Sequence, residues 1–192
     1  MKNLRERVIS TARDLFYREG IHVVGVDRLA EEIGIAKATL YRHFASKDEI
    51  IFAYLEDFHR QSLESMRRII ENAPPDPRDR IGRLFVELGH IGIRPEFRGC
   101  PFLLALSEYG HVQRIREMTA EHKRATRALF ALALREIDDP EHSLSELVAL
   151  IYEGTAALMS VDHSTQALTT AIRHIDSLLA ARIGSASRTA AG

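Results

Sequence analysis

The chain has 192 residues, 45% apolar and 28% charged, with a formal net charge of -1. This describes a globular protein with room for one small and one larger helical domain, and it argues against a purely architectural DNA binder, which is usually more basic. The single cysteine cannot form an internal disulfide, which fits a reducing compartment.

The first ten residues, MKNLRERVIS, carry charges where a signal peptide needs an apolar core. No apolar run is seen to approach the ~18 residues of a membrane span, so the expected location is cytoplasmic, with no membrane partner. Leu4, Val8, Ala12, Leu15 and Phe16 recur at helical spacing, and Gly20 ends that first helix. Its cations Lys2, Arg5 and Arg7 suit a DNA backbone or a solvated face equally well. A second stripe, Val26, Leu29, Ala30 and Ile33, predicts a short helix broken by Gly34. After a turn of a few residues, Leu40 and Phe44 form another apolar pair and leave Lys37, Thr39, Tyr41 and His43 outward. This is helix-turn-helix spacing, in which the second helix enters the major groove. Lys37, Arg42 and Lys47 fall in a stretch without an acid, focusing positive charge on a chain that is otherwise near neutral. Ser46 and Glu49 have capping-box spacing and open the next helix.

Residues 3 to about 55 resemble the DNA-binding domain of the TetR family of one-component transcriptional regulators, through LFYREG, VDRLAEEIGIAKATLYRHF and SKDEI. The resemblance implies a double-stranded operator as partner, with Lys37, Ala38, Thr39, Tyr41, Arg42 and His43 on the recognition helix. It also implies that Lys47 is a phosphate-binding lysine. Gly25 and Ala36 depart from the family's usual Thr and Ser caps. Glycine is a tolerable N-cap and alanine a poor one, so the operator-facing ends are expected to order fully only on DNA.

The fourth helix starts at Lys47 and carries Ile50, Ile51, Tyr54, Leu55, Phe58, Leu63, Met66 and Ile70. It is expected to connect the DNA-binding part to the rest, and APPDP at 73–77 ends it. Asp76 and Pro77 are an N-cap and first-turn pair for a helix to about Arg94. A short segment from Pro101 to Glu108 follows, then a helix from about Val112 to Ile137. Ser143 and Glu146 are read as a second capping box, opening a helix through Met159. The last helix covers about Thr165 to Ile183. The domains expected are therefore a helix-turn-helix domain at 1–46 and an effector-binding and dimerisation domain at 47–184, with 47–72 connecting them. The small polar residues of 185–192 read as a disordered tail. The fold class is all-α.

RGCPFLLALSEYG, EHK at 121–123 and LIYEG at 150–154 resemble one branch of the family's C-terminal domain, implying a small hydrophobic effector. Its candidate pocket residues are Phe85, Cys100, Phe102, Leu103, Leu106, Glu108, His122 and Tyr152; each apolar member reads equally well as plain core. Apolar pockets with a few polar anchors are the usual form of such sites. The last two helices have apolar faces too wide for one small domain to cover. They resemble the family's four-helix dimer interface, with Leu147, Ile151 and Leu158 on one helix and Leu168, Ile172, Ile175 and Leu179 on the other. A homodimer would space two recognition helices about 34 Å apart, as a palindromic site requires.

Other classes are weaker. Cys100 with His111 or His122 and Glu108 lacks a positioned base and an oxyanion site, so no catalytic residue and no enzyme is expected. The nine histidines show no metal-ligand spacing, so neither a metal nor a cofactor is expected. A redox- or electrophile-responsive switch at Cys100 needs an exposed thiolate with a lowered pKa, and there is no second cysteine to resolve it.

Overall fold

A computed structural model describes residues 3–189, with side chains to Ile183. The described residues form helices α1 (Leu4–Glu19), α2 (Val26–Ile33), α3 (Lys37–His43), α4 (Lys47–Glu71), α5 (Pro77–Gly92), α6 (Pro101–Tyr109), α7 (Gln113–Ala133), α8 (Ser143–Asp162) and α9 (Gln166–Thr189), and no strand. They divide into two compact units. The first runs up to Ser62 and adds Cys100–His122; the second is Leu63–Gly99 with Lys123 onward. The first unit thus reaches well past residue 46 and recruits α6, because Phe102 and Ala105 are buried in the same core as Leu15, Phe16 and Leu40.

In the first unit α1 begins with a capping box that the sequence reading missed. Asn3 Oδ1 accepts from the Glu6 N–H at 2.9 Å while the Asn3 N–H donates to Glu6 Oε2 at 3.2 Å. Val8, Ala12, Leu15 and Phe16 face inward, and Phe16 meets Tyr54 of α4 edge-on at 5.9 Å. Burial pushes the Tyr54 phenol far above its usual range. Gly34 ends α2 in the left-handed region, φ 74°, which favours glycine. Arg7 Nη2 donates to the Ile33 carbonyl at 2.7 Å, so this cation closes the end of α2. Ser46 Oγ accepts from the Glu49 N–H at 3.2 Å, starting α4 as its spacing predicts.

In the second unit α5, α8 and α9 pack on one another through Ile81, Leu84, Phe85 and Leu88, through Leu144, Val148 and Met159, and through Leu168, Ala171, Ile175 and Leu179. Asp76 caps α5 by accepting from the Arg78 N–H at 2.8 Å. The buried Arg80 guanidinium binds the Glu136 carboxylate and donates to the Ala133 carbonyl at 3.1 Å.

Four sequence expectations are corrected. Helix α7 stops at Ala133, where i→i+3 turns such as Ile137 N–H to Leu134 O at 2.8 Å replace the helical ladder. Ser143 is not the cap of α8. His142 holds that position with φ 55°, and Asp139 accepts instead from the N–H groups of Leu144 at 3.1 Å and Ser145 at 3.0 Å. Helix α9 runs on to Thr189, so 185–189 is helical; the rest of the expected tail lies outside the described residues. Finally, α8 is long and apolar enough to cross a membrane by length and composition, which the reading of the chain denied. Core helices pass the same test, and Val148, Thr155 and Met159 are buried in the second unit.

Candidate nucleic-acid interface

Helix α3 is only seven residues long, so packing rather than propensity must hold it. Leu40 is wholly buried and Phe44 nearly so, both in the core built by α1, α2 and α4. That anchors one side of α3 and turns the opposite side outward. Lys37, Ala38, Tyr41, Arg42 and His43 are exposed, and Thr39 is half-buried. Neither α2 nor α3 has a side-chain cap, at Gly25 or Ala36, yet both are formed.

The outward residues are already organised. Arg42 Nη2 donates to Thr39 Oγ1 at 3.2 Å. Lys37 Nζ lies 2.9 Å from Asp27 Oδ1 at the start of α2, and the hydrogen bond to that carboxylate holds the ammonium pKa above its ordinary value. This pair was not foreseen from sequence, where Asp27 reads as a first-turn acid.

Lys47 already has partners within the first unit. Its Nζ donates to the Ile21 carbonyl at 2.6 Å and sits over the rings of Tyr109 and Phe16 at 5.9 and 6.0 Å. Burial lowers its pKa, against the pull of the Glu108 and Asp48 charges. It is a half-buried packed cation rather than a free arm.

The expected pocket residues are drawn from both units. Phe85 and Tyr152 belong to the second unit, where their rings meet at 5.3 Å and Tyr152 also touches Phe130 at 5.2 Å. The others belong to the first. Phe102 is buried and stacks on His122 at 4.3 Å, with 15° between the planes. His122 Nδ1 lies 3.3 Å from His59 Nδ1, so one ring must donate and the other accept. Cys100 is partly buried, Leu106 half-buried, and Leu103 exposed. Glu108 Oε2 accepts from the His22 N–H at 2.6 Å, which gives this carboxylate a structural partner. A separate open groove in the second unit is lined by Ser65, Arg68, Ile69, Asn72, Arg83, Val86 and Glu87, and includes none of the expected residues. No group of three or more potential metal ligands occurs among the described residues.

The expected dimer residues also divide. Leu147 and Leu158 are exposed at 42% and 53%, and Ile151 and Ile172 are half-buried. Leu168, Ile175 and Leu179 are instead buried at 8%, 3% and 0% in the second unit's own core. Two exposed residues that the sequence reading passed over, Leu150 at 69% and Val161 at 75%, join the outer stripe of α8.

The profile described as bacterial regulatory proteins, tetR family, matches residues 8–54. An HTH-type transcriptional regulator, YerO of Bacillus subtilis (strain 168), is 31% identical over 77 residues, 40% of this chain and 27% of its own length. The HTH-type transcriptional regulator SAB2452 of Staphylococcus aureus (strain bovine RF122 / ET3-1) is 38% identical over 52 residues, 27% of this chain and 28% of its own. The chain thus matches less than a third of the length of these relatives. Over nearly the whole fold it is similar to SCO4454, a TetR-family transcriptional regulator from Streptomyces coelicolor. That match has a TM-score of 0.83 and 26% identity, and covers 93% of this chain and 95% of that one. E. coli NemR in its reduced form shares the fold at a TM-score of 0.79 and 19% identity, over 90% of this chain and 95% of that one. Residues 8–54, which include the helix-turn-helix at 26–43, thus match the TetR family of bacterial regulatory proteins, and the fold as a whole is similar to that of a TetR-family transcriptional regulator.

Proposed function

We propose that the chain is a homodimeric cytoplasmic repressor that binds a palindromic double-stranded operator and leaves it when a small apolar effector binds. The observation that carries the reading is the outer side of α3, where Lys37, Tyr41, Arg42 and His43 stand exposed on a helix fixed from behind by Leu40. Phosphate contacts from Lys37 and His43 would set register, and Arg42 and Tyr41 are the side chains long enough to reach base edges. Thr39, through its bond to Arg42, and Ala38 complete the surface.

Dimerisation is supported by α8. Leu147, Leu150, Ile151, Gly154, Leu158 and Val161 follow one helical face, and a β-carbon on Gly154 would meet nothing within 4 Å. Such a stripe needs a cover in water, and a second copy of the same helix supplies one by two-fold symmetry. Leu147, Ile151, Leu158 and Ile172 are kept as interface residues on this reading. The effector must bind the DNA-incompetent state more tightly, since equal affinity for both shifts nothing. Cys100, Phe102, Leu106 and His122 are its candidate contacts in the first unit. Regulators of this family are not enzymes, and the chain's output on this reading is promoter occupancy.

The test is selection of random-sequence duplex DNA by the full chain. Enrichment of a palindrome with half-sites about one helical turn apart is expected. Failure to enrich any sequence at low salt would overturn the reading.

A further inference from the structure

One peptide bond in the first unit is gripped at both ends by opposite charges. It joins Ile21 to His22, in the turn between α1 and α2. Its carbonyl accepts from Lys47 Nζ at 2.6 Å, and its N–H donates to Glu108 Oε2 at 2.6 Å. Lys47 is the first residue of α4 and Glu108 lies in the last turn of α6. A cation on the oxygen and an anion on the N–H both follow the peptide's own dipole, so the two contacts reinforce each other. The surroundings keep the grip in register. Gly20 has φ 98°, and a β-carbon there would stand 3.4 Å from Glu108 Oε1. Ile21 and Val24 are buried on either side of His22. The His22 ring meets Tyr109, the neighbour of Glu108, at 5.7 Å.

We propose that this peptide is the joint through which α6 sets the position of the helix-turn-helix, and that Lys47 and Glu108 are positioning residues for DNA binding. Lys47 acts by holding the turn that leads into α2, and it makes no phosphate contact. The inference rests on the DNA-binding reading above, and it reverses two simpler expectations. A phosphate-binding lysine, when removed, lowers the salt slope of binding by about one unit. Removal of an acid from a DNA-binding unit strengthens binding through charge alone.

The experiment measures affinity of the full chain for the duplex it selects from random sequence, across a salt series. Lys47→Ala is expected to weaken binding about tenfold with an unchanged salt slope, and Glu108→Ala to weaken it by a similar factor despite the lost negative charge. Glu108→Gln, which keeps an oxygen acceptor, should stay within about threefold of the unaltered chain. The double variant should lose much less than the product of the two single losses, because either one alone opens the joint. Hydrogen exchange supplies a readout that needs no DNA. The His22 amide should exchange slowly in the unaltered chain, and at least about tenfold faster in Glu108→Ala. A slope reduced by one in Lys47→Ala, unchanged or tighter binding in Glu108→Ala, or a His22 amide exchanging at open-loop rates, each overturns the joint. A chain that selects no duplex at all overturns the DNA-binding reading itself, and the joint with it.

Discussion

The outer side of α3 and the outer side of α8 are both exposed, but they expose opposite chemistry. On α3 the exposed residues include Lys37, Tyr41, Arg42 and His43; on α8 they include Leu147, Leu150, Leu158 and Val161. A cationic, hydrogen-bonding surface loses little by standing in water, so it can wait for a partner that comes and goes. An uncovered apolar stripe cannot wait without cost at ~25 cal/mol per Å² of apolar surface. Exposure therefore means transient polar contact in one helix and standing apolar contact in the other.

The largest expected effects separate inside from outside on the apolar side of this comparison. Ile175→Glu places an unpaired carboxylate in the second unit's core and should cost several kcal/mol, enough to abolish cooperative thermal unfolding. Leu158→Glu puts the same charge on the outer stripe, where sedimentation should show monomers that keep helical circular dichroism. Two folded dimers from these variants would show that the assembly uses another face.

Sequence periodicity could not draw that distinction. Helix α8 carries apolar residues nearly all round, and which of them face inward depends on α5, far away in the chain; α9 has one polar side, with Arg173, His174 and Asp176 exposed, but its apolar side does not say whether a neighbour or a second copy covers it. The same holds for Lys47, whose partner at Ile21 and counter-charge at Glu108 come together only in the folded unit. Asp139 was hidden for a different reason: it reaches over His142, whose φ of 55° no local pattern announces. By contrast, α2 was legible to the residue, because apolar spacing, a following glycine and a short turn all point the same way. The outward set on α3 was legible too, since a seven-residue helix buried through Leu40 leaves little choice of face.

On the polar side of the comparison the effects should be smaller and should leave the fold alone. Arg42→Ala or Tyr41→Ala is expected to cost about 1–3 kcal/mol of operator affinity, read by gel shift, with the melting temperature and the dimer unchanged. Arg42→Ala should also relax discrimination at one base position. Unchanged affinity in both variants would mean that α3 is not the reading helix.

Asp139 tests a local device in the second unit. Burial is the largest single influence and pushes its carboxyl pKa up, but the N–H groups of Leu144 and Ser145 and the hydroxyls of Ser145 and Ser143 together hold it below the ordinary range. Its stabilising contribution is therefore complete above the ordinary carboxylate pKa of ~4 and disappears as pH falls through the depressed folded value. Asp139→Ala should cost about 1 kcal/mol at neutral pH, as loss of a helix cap does. The gap between the two proteins should close on acidification. A constant gap down to acid unfolding would show that the contribution is not ionic.

The smallest effect is expected at Cys100, where two terms oppose each other. Cys100 is the N-cap residue of α6 and makes no side-chain capping bond, whereas serine is among the best N-caps. Against that gain, the thiol is partly buried against the first unit's core, and a hydroxyl there surrenders apolar contact. Cys100→Ser should therefore change stability by less than about 0.5 kcal/mol in either direction. Function should follow stability: a thiol packed against the core reacts slowly, and with no second cysteine there is no internal disulfide to form. Mild oxidant should leave operator affinity equal in Cys100→Ser and the unaltered chain, and a thiol reagent should label Cys100 slowly. Fast labelling, with oxidant releasing the unaltered chain from DNA but not the serine variant, would turn this cysteine into the sensor.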